Sequence, residues 1–230
     1  MSARLITLIG HDARLQYRYG IYIAYGFVLV FYVAVLVGAG HFLPAWVPAF
    51  IIFSDPAALG FFFLGALMML EKAEGVRAAL AVAPLGPGEY LAGKVVTLTA
   101  MAVLSSAVLI LFHGTPNPTL MLVSVTLTSI MYVGIGVPIA LRFKTVNGYL
   151  IGSSGLLLPV IAPGLVALID PTPVWTLVLP ATSQLKLMLV ATGAGTASPA
   201  EVVFMLAVCA IAAAGGLWLA HRALVRELGR

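Results

Sequence analysis

The sequence is poor in charge and in cysteine, and it has no polar tract. Only 9% of its 230 residues are Asp, Glu, Lys or Arg. A soluble domain averages about 25%, so too little polar surface is present to solvate a globular chain of this length. Cys209 is the single cysteine, which excludes an intrachain disulfide and a cysteine-based metal framework. His11, His41, His113 and His221 fall at loops or helix ends without ligand spacing, and no Ser-His-Asp or Cys-His arrangement is present. Neither metal binding nor covalent catalysis is expected of the chain. The first twenty residues do not read as a secretory leader. Arg4, Asp12, Arg14 and Arg18 are scattered through them rather than placed ahead of an apolar core.

What is present is apolar: 62% hydrophobic residues and a mean hydropathy of +1.11. A bilayer span takes about 20 mostly apolar residues. Five stretches qualify directly: Ile21–Ala39, Val95–Phe112, Thr119–Leu141, Tyr149–Ile169 and Val202–Ala220. A further apolar stretch, Trp46–Leu70, contains Ser54-Asp55-Pro56. Ser and Asp are good N-caps and Pro suits a first helical position. The favoured reading starts the second span at Pro56 and leaves Leu43–Phe53 as a separate segment in the outer interface. The alternative is one long kinked helix. Either way the fold class is all-α, a polytopic membrane protein with six transmembrane helices.

Six spans place Arg4, Arg14, Arg18, Lys72, Arg77, Lys94, Arg142, Lys144, Arg222, Arg226 and Arg230 on one side and only Lys186 on the other. The positive-inside rule makes the first side cytoplasmic, with both termini there. Dispersed basic residues of this kind suit lipid headgroups rather than nucleic acid. Within residues 1–20, Arg4, Thr7, His11, Arg14 and Arg18 recur at steps of three and four and form a polar stripe. Leu5, Leu8, Ile9, Leu15 and Tyr19 lie away from it. A short basic amphipathic helix ahead of a first span reads as an interfacial helix, an anchor or a lever.

The most specific stretch is 71–94. Glu71, Lys72, Glu74, Gly75 and Arg77 are followed by an apolar stripe of Val76, Ala79, Leu80 and Ala83. Pro84 and Pro87 break that helix, and Gly86-Pro87-Gly88 makes a turn before a helix that starts near Glu89. The order Glu71-Lys72, Gly75, Pro84-Leu85, Glu89-Tyr90-Leu91 and Gly93-Lys94 resembles the ABC-2 membrane family, the permease subunits of ATP-binding-cassette exporters. With the amphipathic start and six spans, the resemblance covers essentially the whole chain, as one permease domain over 1–230. It implies that 71–94 is a cytoplasmic coupling loop that docks on a separate ATPase subunit through Glu71, Lys72, Glu74, Gly75, Arg77, Leu80 and Pro84. It favours the lever reading of Arg4, His11, Arg14 and Arg18. It also implies a second permease protomer, identical or homologous, with ATP and Mg held by the partner ATPase and no cofactor on this chain. Gly88 to Lys94 nearly spells a phosphate-binding loop. Val95 stands where the hydroxyl should be and no strand precedes it, so ATP binding here is rejected.

Residues 170–201 contain Pro171, Pro173, Pro180 and Pro199 with the apolar run Leu185–Val190. They read as two short helices re-entering the outer leaflet before the last span, against protein. Lys186 is within reach of Asp170 or Glu201 in sequence, but spacing does not pair them. Inside the spans Asp55 is the one carboxylate to explain, either as an N-cap or as a group facing a cavity. The hydroxyls of Thr97, Thr99, Ser105, Ser106, Thr126, Thr128 and Ser129 are expected mostly to serve packing. Pro159 and Pro163 should kink the fifth span, and Gly152, Gly155 and Ala162 permit close helix approach. The resemblance points to the second and fifth spans as the path of a small-molecule substrate, with Asp55, Ser153, Ser154 and Pro159 on it. The expected function is export of an amphiphilic, drug-like substrate across a bacterial inner membrane, similar to the small drug and fluoroquinolone exporters of that family. The alternative is an ion- or proton-coupled secondary transporter.

Overall fold

A computed structural model describes residues 3–40, 42–75 and 86–227. Among them the chain is helical, and six helices are long and apolar enough to cross a membrane. It is a multi-pass membrane protein. Helix α1 (Ala3–Arg18) is followed at Gly20 by a left-handed turn into α2 (Ile21–Gly38). The second span is α3 (Val47–Ala58), a π-helical turn (Leu59–Phe63) and α4 (Leu64–Ala73). Then follow α5 (Pro87–His113), α6 (Pro118–Ala140) and α7 (Val146–Ile161), which tightens into a 3-10 helix (Ala162–Leu168). A 3-10 turn (Val174–Val178), α8 (Pro180–Thr192) and α9 (Pro199–Glu227) complete it.

Helix α6 is the axis of the bundle: α3 to α4, α5, α8 and α9 all pack on it. Glycines set the closest crossings. A Cβ at Gly134 would run into the backbone of Gly216 on α9, and one at Gly60 would lie 2.6 Å from the carbonyl carbon of Tyr132. Helices in lipid gain little from apolar burial against each other, so close van der Waals approach over small residues is what holds them. Helices α2, α7 and α9 present Phe27, Phe31, Ile151, Leu158, Ile211 and Trp218 outward, as spans do in lipid.

Two sequence-based expectations are corrected. The second span does not start at Pro56, and Leu43–Phe53 is not a separate interfacial segment. Val47–Ala73 runs as one span with Pro56 inside it. Pro56 has no N–H for the ladder, and the helix absorbs the mismatch in the π-turn that follows. The Tyr149 hydroxyl of α7 donates to the Phe61 carbonyl inside that turn. Asp55 is therefore not an N-cap. Pro87 and Gly88 are not turn residues either. They are the first residues of α5, where the missing N–H of Pro costs nothing, and Glu89 accepts from the Gly86 N–H at 3.1 Å. The fifth span changes from α to 3-10 geometry just after Pro159 and before Pro163. Gly155 meets nothing within 4 Å, while Gly152 faces the Phe143 ring.

Candidate functional site

At the end that carries most of the basic residues, three elements meet around one lysine. Asp12 and Gln16 stand one turn apart on α1, Glu71 closes α4, and Tyr90, Lys94 and Thr97 share one face of α5. The Lys94 ammonium bonds to both the Asp12 and the Glu71 carboxylates. The remaining oxygens are also satisfied. Tyr90 donates to Glu71 Oε2 at 2.6 Å, Thr97 to Asp12 Oδ2 at 2.6 Å, and Gln16 Nε2 to the same oxygen at 3.0 Å. Lys94 and Glu71 are each 2% exposed and Asp12 5%. Taking such charges out of water costs several kcal/mol per ion and is offset only when every charge is paired and hydrogen-bonded. Here two carboxylates share one cation, so the cluster is held together by the lysine. It is a three-way pin joining α1 to the ends of the second and third spans.

Glu71, expected at a docking surface, has both oxygens engaged inside the protein, by Lys94 and Tyr90. Lys72, Glu74 and Gly75 do lie at the surface. Gly75 takes φ +75°, a conformation that favours glycine, and turns the chain away from α4. Arg77, Leu80 and Pro84 lie outside the described residues. On α1, His11, Arg14 and Arg18 are exposed as the stripe requires, and Arg4 lies in the first turn. Arg18 reaches Glu74, a second link from α1 to the end of α4. Sequence reasoning missed Asp12, Gln16, Tyr90 and Thr97 as partners. The available signal was the 12/16 spacing on the face of α1 opposite the arginines, and the 90/94/97 spacing on α5.

The exposed link has a pH signature. Tyr19 and then Arg18 hold the Glu74 carboxyl below its ordinary value of 4.5, opposed in part by desolvation. A depressed carboxyl contributes above the ordinary value and its contribution is lost as pH falls through the depressed one. A spin label at Tyr17 is expected to be immobile at pH 7 and to loosen below about pH 4.5. Glu74→Gln should abolish the acid step while the buried cluster still holds α1, and an unchanged acid step in that variant would refute the link.

The residues expected on a substrate path do not converge within the chain. Asp55, 1% exposed, sits eight residues into α3 and accepts from Tyr25 of α2 and Ser105 of α5, each at 2.5 Å to Oδ2. Ser153 and Ser154 bond back to the Leu150 carbonyl of their own helix at 3.3 and 2.7 Å, and Pro159 is exposed. Asp55 thus clamps three spans rather than facing α7. Asp55→Asn keeps an acceptor and is expected to fold normally. Asp55→Leu strands the buried Tyr25 hydroxyl, at about 1–3 kcal/mol, while Ser105 falls back on the Ala102 carbonyl at 3.0 Å, and the variant should melt earlier in detergent. Equal melting of both variants would show the clamp to be energetically idle.

Comparison with known proteins gives a consistent picture. The family model for the fluoroquinolones export permease protein family matches residues 3–228. Two relatives, both named fluoroquinolones export permease protein, come from Mycobacterium tuberculosis strains CDC 1551 / Oshkosh and ATCC 25618 / H37Rv. Each is 28% identical over 225 residues, covering 96% of this chain and 94% of the relative. No solved structure matches significantly.

Proposed function

The chain belongs to the fluoroquinolones export permease protein family, and on that premise we propose that it is the membrane subunit of an ATP-driven exporter of drug-like amphiphiles. The relatives' names supply the substrate class, and the resemblance to ABC-2 permeases supplies the mode of energy input. The observation that carries the mechanism is the Asp12–Lys94–Glu71 pin. It fuses α1 to the two helix ends that flank residues 76–85. A push delivered there by a separate ATPase, which holds ATP and Mg, moves α1, α4 and α5 as one body. The surface groups Lys72, Glu74 and Gly75 are the described part of the contact. A second permease protomer, identical or homologous, completes the path. The basic end faces the cytoplasm of a bacterial inner membrane and holds both termini, by the positive-inside rule.

Co-expression with the neighbouring ATPase tests this reading. A P-loop ATPase is expected to copurify with the chain, and cells are expected to accumulate less fluoroquinolone. Recruitment of no such ATPase sinks the ATP-driven reading. A second reading, ion- or proton-coupled transport, draws on Asp55, a buried carboxylate with no cationic partner within the described residues. Its clamp of two hydroxyls disfavours it. Collapsing the proton gradient while ATP is maintained should leave export intact, and loss of export would favour the second reading.

A further inference from the structure

The two lysines with buried side chains are treated in opposite ways. Lys94 is matched by two carboxylates. Lys186, on the otherwise buried α8, is 8% exposed, yet its ammonium has no ion pair and donates no hydrogen bond among the described residues. It opens instead into two cavities of about 350 and 280 Å³ at the end opposite the basic one. Lys186, Asp170 and Thr196 line both cavities. Trp46 and Leu189 add apolar wall to one, Leu177 and Met205 to the other. Glu201 is committed to its own helix start, accepting from the Ser198 N–H at 2.7 Å. Asp170 is exposed and uncommitted.

Glu201 lines one of the two cavities and acts on Lys186 only through space, and a buried cation with no direct partner is costly unless something completes it. The groups around it are those of a small-molecule site: apolar walls and a few convergent polar heads. We propose that this double cavity is an outer binding site for zwitterionic amphiphiles, the ligand's carboxylate pairing with Lys186 and its basic amine with Asp170. The site rests on the export reading above and deepens it by naming the charge pattern of the cargo at the exit. Its position beside α8 and the 3-10 turn Val174–Val178 puts it where cargo leaves the bundle.

The test uses the full chain in lipid nanodiscs and two probes, ciprofloxacin and its methyl ester, followed by fluorescence anisotropy. The wild type is expected to bind the acid about tenfold or more tighter than the ester, the size of one charge-assisted hydrogen bond. Lys186→Gln should erase that difference by weakening the acid alone, and Lys186→Arg should keep it. Asp170→Asn should weaken both probes, which share the amine. Equal wild-type affinities, or no binding of either probe, overturn the site, and this comparison stands whether or not Lys186→Gln folds. Competition by phosphatidylglycerol added to phosphatidylcholine discs would assign Lys186 to a lipid phosphate and overturn the cargo assignment. Acid-selective binding in a chain that exports no drug from cells would sink the export reading and leave the site standing. Export with no acid selectivity would do the reverse.

Discussion

Lys94→Met is expected to destabilise the protein by about 3–5 kcal/mol, the cost of breaking a buried ion cluster by removing one member. Among the described residues the lysine is the one cation bonded to Asp12 and Glu71. Without it two buried carboxylates face each other with Tyr90, Thr97 and Gln16 as the described donors. The variant should express poorly, melt early in detergent and confer no drug export. The triple change Asp12→Asn, Glu71→Gln, Lys94→Met removes all three charges and should recover most of the melting temperature. The cluster's role then becomes measurable. On the ATP-driven reading proposed above, a recovered triple variant that binds an ATPase whose hydrolysis does not drive export would mean that the pin transmits force. Full export by the triple variant would reduce the pin to a structural fitting. A single Lys94→Met that melts like the wild type would overturn the geometry itself.

The second large effect is expected at the crossing of α6 and α9. Helix propensity alone predicts that Gly134→Ala stabilises by about 1 kcal/mol. The structure predicts the opposite sign. An added Cβ would occupy the backbone of Gly216, and backbone cannot swing aside as a side chain can. Overpacking of a fitted interior costs about 1–3 kcal/mol and at times more, so Gly134→Ala should melt earlier and Gly134→Leu should fail to fold. Gly215, next to Gly216 in sequence, meets nothing within 4 Å. Gly215→Ala should be neutral or slightly stabilising in the isolated chain. Parallel melting curves of the three variants decide the point. Stabilisation by Gly134→Ala would mean that the two helices are not in contact there.

The residues that went wrong in the sequence share a cause. Glu71 reads as a surface group because it follows an apolar run and precedes charged neighbours, Lys72, Glu74 and Arg77. Its side chain is nevertheless turned inward to Lys94. Asp55 reads as a cap because Asp-Pro is a common helix start. It lies mid-helix because Tyr25 and Ser105 arrive from two other spans to satisfy it. The glycines expected to bring helices together, Gly152 and Gly155, are not the ones that do so. Gly60, Gly134, Gly136 and Gly216 are.

Six spans, a basic and a non-basic end and an amphipathic start are legible in the order of residues alone. Each of these depends on composition within a window, because lipid is a uniform solvent that any apolar run of sufficient length satisfies. Only the tertiary structure decided which charges meet. Lys94 finds Asp12 across 82 residues and Glu71 across 23, while Lys186 makes no ion pair among the described residues. Whether a lysine near a helix end is solvated, paired or left waiting for a ligand depends on the faces of other helices, and those faces are set by where glycine lets backbones touch.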